Sequence, residues 1–148
     1  MTGPTDSSAR LTAAGCRTRI DRLREQLHRD HLDAALIVDR RHVHYFTGYW
    51  AAAVFTPVLL VIREAEAILA VPTPPDPDTV EAIEQIRLAP AQRLATLVDD
   101  PLGCSLTAIA ADLARLSRIG WDVPVDPFWQ PHARWSDLRP ALWKMRRA

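Results

Sequence analysis

LDAALIVDRRHVHYFTGYW, Leu32 to Trp50, is the stretch that decides how the rest of the chain folds. Ala34, Ala35, Leu36, Ile37 and Val38 form one apolar run, with the length and composition of a strand buried on both faces. Such a strand belongs at the centre of a sheet. Asp39, Arg40 and Arg41 end the run with charge, and His42, Val43, His44, Tyr45 and Phe46 follow in one short segment before Thr47-Gly48. Gly48 has no Cβ to forbid positive φ, so the chain can turn sharply there.

Upstream, Cys16, Ile20, Leu23 and Leu27 recur at helical steps and leave Arg17, Arg19, Asp21, Arg22, Arg24 and Glu25 to face water. The reading is an amphipathic helix with a basic outer face. Downstream, Phe55 to Ile62 and Ala67 to Val71 are two apolar strands joined by a charged turn, which predicts an antiparallel hairpin with Pro57 at its entry. Pro72, Pro74, Pro75 and Pro77 make a stiff connector. A short helix from Asp78 or Thr79 to about Gln85, a strand over Ile86–Leu88 and a helix over Ala91–Asp99 come next. Leu106, Ile109, Leu113 and Leu116 step by helical intervals, and Arg118 to Val123 reads as a strand. Three prolines between Pro124 and Arg134 argue for an extended path, and Trp135 to Ala148 for a closing helix with Leu138, Leu142 and Met145 on one side. Alternating helices and strands with a hairpin in the middle predict an α/β domain, a mixed β-sheet flanked by helices.

A basic helix, a buried D-A-A-L-I-V strand, then Tyr45-Phe46-Thr47-Gly48-Tyr49 resembles the amino-terminal domain of the creatinase, prolidase and aminopeptidase P family. In that family the segment usually reads Asn, aliphatic, any residue, Tyr, Leu, Thr, Gly, Phe. Here His42 stands at the Asn position, and Phe46 and Tyr49 replace Leu and Phe. The resemblance covers about residues 14 to 148 and implies a ribonuclease H-like architecture. It divides the chain into a flexible start at 1–12, the domain at 13–133, and a linker helix at 134–148 leading to a catalytic domain. The family's catalytic domain has a pita-bread fold. It holds two Asp, one His and two Glu around a pair of divalent ions, Mn, Zn or Co, whose bridging water attacks the scissile carbonyl. The resemblance therefore implies the non-catalytic half of a metal-dependent Xaa-Pro peptidase, inactive alone. Its implied partners are its own catalytic domain, a second copy in a homodimer, and a peptide substrate at the cleft. A creatinase-type amidinohydrolase, or a stand-alone protein-binding module on the same fold, are the alternatives that this half of the sequence leaves open.

Composition sets independent bounds. A chain of 148 residues can bury roughly 70% of its unfolded surface and needs no staples. Eighteen basic against eighteen acidic residues argue against nucleic acid or an anionic membrane as partner. Cys16 and Cys104 stand far apart and outside any C-x-x-C pairing, which fits a reduced cytoplasm and no thiolate site. No apolar run approaches the roughly 20 residues of a membrane helix, and MTGPTDSSAR lacks a signal peptide's apolar core.

The candidate chemistry is sparse. Asp126 and Asp137 have the spacing of the family's two Asp ligands, yet no His follows Asp137 and the last Glu is Glu84. They read as solvated loop and cap residues, so the chain is expected to supply no metal ligand and no catalytic residue. His28 and His31 lie three apart without a third ligand. His42 and His44 alone give neither a closed metal site nor a nucleophile with its base, so His44 is expected at the surface and His42 to cap or hydrogen-bond the loop after the strand, as Asn would. Tyr45 and Phe46 are assigned to the core. Tyr49 and Trp50 follow the Gly48 turn, and at least one of them is expected to face outward. Together with His44 they are the candidate cleft or interface residues, because the resemblance places this region over the catalytic cleft. Phe128, Trp129, Trp135 and Trp143 are expected to cluster, either clasping the tail to the domain or facing a partner.

Overall fold

The computed structural model describes residues 11–50, 55–89, 100, 102–123 and 134–147. Among them the elements are α1 (Ala13–Arg29), β1 (Ala34–Ile37), α2 (Arg40–Thr47), β2 (Val58–Ile62), β3 (Ala67–Val71) and β4 (Gln85–Leu88). After these come α3 (Gly103–Ala108), α4 (Ala110–Ala114), β5 (Arg118–Trp121), β6 (Arg134–Asp137) and α5 (Arg139–Arg147). The strands form one sheet in the order β4-β3-β2-β1-β5-β6. β1 is antiparallel to β2 and β2 to β3, whereas the β1–β5, β3–β4 and β5–β6 pairs are parallel. The sheet is mixed, as its sequence implies.

β1 has neighbours on both edges and helices over both faces, which is why its residues are apolar without alternation. Ala35 and Ile37 point into one core with Cys16, Ile20, Leu23 and Leu27 of α1, Val43 and Phe46 of α2, and Leu142 and Met145 of α5. Ala34 and Leu36 point into a second core with Leu60, Ile119, and Leu106, Ile109 and Leu113 of α3 and α4. Two faces thus alternate along every central strand, and the result is a helix–sheet–helix sandwich. Thr12 caps α1 by accepting the Gly15 N–H at 3.1 Å, and the basic residues His28 and Arg29 lie in the last turn, where the helix dipole favours them.

Several boundaries differ from the sequence reading. β2 begins at Val58 instead of Phe55, because it is paired on both edges and Pro57 has no N–H to give to a ladder. A 3₁₀ turn over Pro77–Thr79 takes the place of the expected short helix; the chain beyond it is anchored by Val80 and Ala82, two apart and both buried, a spacing no helix face provides. The helix expected from Leu106 to Leu116 is two short helices, broken at Ile109 with φ −116°. Leu106, Ile109 and Leu113 all lie on the same face of the sheet.

The closing helix starts at Arg139, not Trp135, and residues 134–137 are instead the sixth strand. Asp137 explains the switch, since its carboxylate accepts the Arg139 N–H at 2.9 Å and Pro140 suits a first turn. Leu138 then packs over β5 where Gly120 leaves room; a Cβ at 120 would overlap both Leu138 and Leu32. The helix expected over 91–99 and the extended path of 124–133 lie outside the described residues.

Leu23 is fully buried at the centre of the α1 stripe. Leu23→Ala is expected to cost about 2–5 kcal/mol in urea unfolding, the usual loss for a truncated core leucine. A loss under about 0.5 kcal/mol would mean that α1 does not pack on this sheet.

Candidate functional site

α2 is the element that carries the candidate residues, and each of its ends is fixed locally. At its start Asp39 accepts the Arg41 N–H at 2.8 Å, the capping bond expected of Asp before a helix. The Arg41 guanidinium also bonds this carboxylate, and chiefly for that reason Asp39 is held down to about 2. At its end Gly48 adopts φ 79° and its N–H donates to His44 O at 2.7 Å. A Cβ there would meet the Thr79 carbonyl at 2.9 Å, so the turn needs glycine twice over. Thr47 is buried; its hydroxyl donates to Val43 O at 2.7 Å and accepts the Tyr49 N–H at 3.0 Å. Arg40 secures the outer side, with Nη2 donating to Phe55 O at 2.6 Å.

These constraints set where the residues after the turn point. Tyr49 turns inward, half-buried between the α1 core and a small cluster of Phe55, Ala89 and Cys104, and burial pushes its phenol upward. Trp50 turns outward and is 59% exposed. His44 stands behind it, edge-on to the indole, with ring centroids 5.6 Å apart and planes at 88°. His44 Nδ1 is buried and has no hydrogen-bond partner. The structure therefore brings His44 and Trp50 together and sends Tyr49 to the core side. Tyr45 and Phe46 pack edge to face, and the Arg19 guanidinium sits 4.7 Å over the Tyr45 ring.

Sequence reasoning missed the partner of His42. Asp122, 80 residues away and 1% exposed, lies just past β5, and its Oδ2 is 2.8 Å from His42 Nδ1. The same carboxylate accepts the Val38 N–H at 2.7 Å and the Asp39 N–H at 3.0 Å. Three donors thus converge on one buried acceptor, the condition under which burying a carboxylate is tolerable. The expectation that His42 bonds its own loop is corrected in this respect: Asp39 caps the helix, and His42 reaches across to β5. The signal available in the sequence was Asp122 itself, an acid among the apolar residues that end β5.

The other candidates do not converge. Among the described residues no group of three His, Cys, Asp or Glu could hold a metal ion. Asp137 is paired with Arg139 at 2.7 Å, and Asp126 lies outside the described residues. His28 pairs at the surface with Glu64 at 3.6 Å. Cys16 and Cys104 are buried free thiols, and burial raises both. Of the expected aromatic cluster, Phe128 and Trp129 lie outside the described residues. Trp135 packs on the α3–α4 face, whereas Trp143 stands on α5, 55% exposed beneath Arg147 at 4.5 Å, so these two do not form one patch.

His42→Ala should cost about 1–3 kcal/mol, and Asp122→Ala more, because it leaves the backbone donors of Val38 and Asp39 without their acceptor. Urea unfolding with amide exchange at Val38 and Asp39 reads both effects; unchanged protection at those two amides would show that the clamp is not formed. Asp39 adds an acid signature. Its folded value of about 2 lies below the unfolded value of about 3.9, so its contribution is present above pH ~4 and is lost as pH falls through ~2. Arg41→Ala should flatten that part of the acid-unfolding profile.

Comparison with known proteins completes the description. The sequence model of the creatinase/prolidase N-terminal domain matches residues 19–145. No curated protein matches. A creatinase-type N-terminal domain of a dipeptidase from Streptococcus thermophilus is 21% identical, with TM-score 0.62, covering 86% of this chain and 98% of that one. The N-terminal domain of the cytoplasmic peptidase PepQ from Mycobacterium tuberculosis H37Rv is 19% identical, with TM-score 0.64, covering 87% and 98%. Against the prolidase from Pyrococcus horikoshii OT3 the identity is 15% and the TM-score 0.62; the match covers 87% of this chain and 35% of that one. At these identities the structural likeness establishes the fold. Among the described residues no helix is long and apolar enough to cross a membrane.

Proposed function

Because the chain belongs to the creatinase/prolidase N-terminal domain family, we propose that it is the non-catalytic domain of a metal-dependent Xaa-Pro peptidase of the prolidase or aminopeptidase P type. In this reading it acts in the cytoplasm as part of a homodimer and covers the active-site cleft of a pita-bread catalytic domain. The observation that carries the reading is the outward Trp50, a large rigid apolar surface held by a glycine-capped helix and backed by His44. Such a side chain suits the face of a peptide's proline or the wall of a cleft, since it loses little entropy on contact. Exposed Trp143 on α5 offers a second apolar surface for the catalytic domain. In this reading the divalent ions are held by that catalytic domain.

Trp50→Ala tests this directly. In the protein that joins this domain to its catalytic domain, kcat/KM for Xaa-Pro peptides should fall by about tenfold, or roughly 1.4 kcal/mol. Thermal unfolding of the isolated domain should not change. Unaltered kinetics together with a domain destabilised by about 3–5 kcal/mol would instead make Trp50 a core residue and remove it from the site.

A further inference from the structure

Trp50 lies beyond the end of β1; an open cleft of about 650 Å³ lies at the sheet's other end. Ile62 pairs with Ala34, the first residue of β1, and the cleft extends from there to the β2–β3 turn, β4 and the end of α4. Its polar lining is Glu66, Gln85, Arg87, Asp112 and Arg115. Asp112 is buried and organises the group, with Arg115 Nη2 at 2.7 Å and Arg87 Nη2 at 3.6 Å from its Oδ1. Arg87 also donates to Gln85 Oε1 at 2.8 Å, and Gln85 Nε2 in turn bonds Glu66. Arg87 Nε is buried and has no hydrogen-bond partner. The Arg115 side chain is 74% exposed, free to swing its remaining donors toward an incoming group.

We propose that this cleft binds a small zwitterion, an α-amino acid or short peptide, with its carboxylate on Arg87 and Arg115 and its ammonium toward Glu66. The cleft carries two guanidiniums and two carboxylates, so its formal charges cancel. A simple oxyanion would gain the arginines but face Glu66, and a simple amine would meet the reverse. Only a ligand with both charges is matched at both ends. A guanidinium presents five donors, so each arginine keeps several after bonding Asp112. The volume lies in the usual range for small-molecule sites. Nothing in this inference rests on the role proposed for Trp50, and the two sites lie at opposite ends of the sheet.

The probe is glycylglycine titrated into the 148-residue chain, followed by the Nε–Hε resonances of its arginines, with acetate, methylammonium and inorganic phosphate as comparisons. The expected result is a saturable shift at Arg87 and Arg115, with glycylglycine bound at least about tenfold tighter than any of the other three. Arg115→Gln should weaken binding at least about fivefold, and Glu66→Gln should remove the advantage over acetate. Glu66 is exposed, so Glu66→Gln should leave the unfolding midpoint unchanged; Arg115→Gln removes the closest partner of buried Asp112 and should lower the midpoint, so its affinity is read well below that midpoint, where the chain is folded. Overturning results are no saturable shift, phosphate or acetate binding as tightly as glycylglycine, or Arg115→Gln binding with full affinity.

Discussion

β1 is hydrogen-bonded along both edges and apolar on both faces, and among the described residues the helices are placed so as to cover those two faces. Ala35 and Ile37 require one helical layer, Ala34 and Leu36 another. The chain supplies α1, α2 and α5 for the first and α3 with α4 for the second. Small residues at 34 and 35 keep those layers close to the strand, and fully buried Leu36 and Ile37 fill the space beside them. With a layer missing, an apolar face of the sheet would stand open to water.

At the end of β1 the constraint changes from apolar to polar. The backbone N–H groups of Val38 and Asp39 leave the ladder and must find acceptors, and Asp122 supplies both. Because that carboxylate sits just past β5, satisfying it fixes the end of one strand against the start of α2. His42 completes its shell. The helix then runs for eight residues to Gly48, and the direction of Trp50 follows from the pitch of α2 and the left-handed turn that ends it. A buried acid just past a neighbouring strand is thus part of what aims a surface tryptophan, although the two never touch.

Much of this was legible in the sequence, and the parts that were not share a cause. The α1 stripe, the central strand, the hairpin and the mixed α/β sheet follow from period and composition, and the Tyr-Phe-Thr-Gly segment pointed to the family. Local reading failed where a residue far away in the chain decides. Nothing near His42 announces Asp122, and nothing in WSDLRP shows that β5 will take residues 134–137 as a sixth strand before Asp137 starts the helix. Ile109 likewise fits a helical stripe, yet the helix breaks there, with φ −116°. At the candidate site the sequence named His44, Tyr49 and Trp50 but could not divide them. The capping of α2 does so, turning Tyr49 in and Trp50 out.

The central claim is that Trp50 is a surface residue of a non-catalytic domain, presented to a catalytic cleft. Fluorine NMR of 5-fluorotryptophan-labelled protein, with the Trp50 resonance assigned by Trp50→Phe, measures this without perturbing the site in the sample compared. The account predicts a resonance that shifts between H₂O and D₂O in the isolated domain and loses that shift when the catalytic domain is attached. A Trp50 resonance insensitive to solvent in the isolated domain, or equally exposed with the catalytic domain in place, would contradict it.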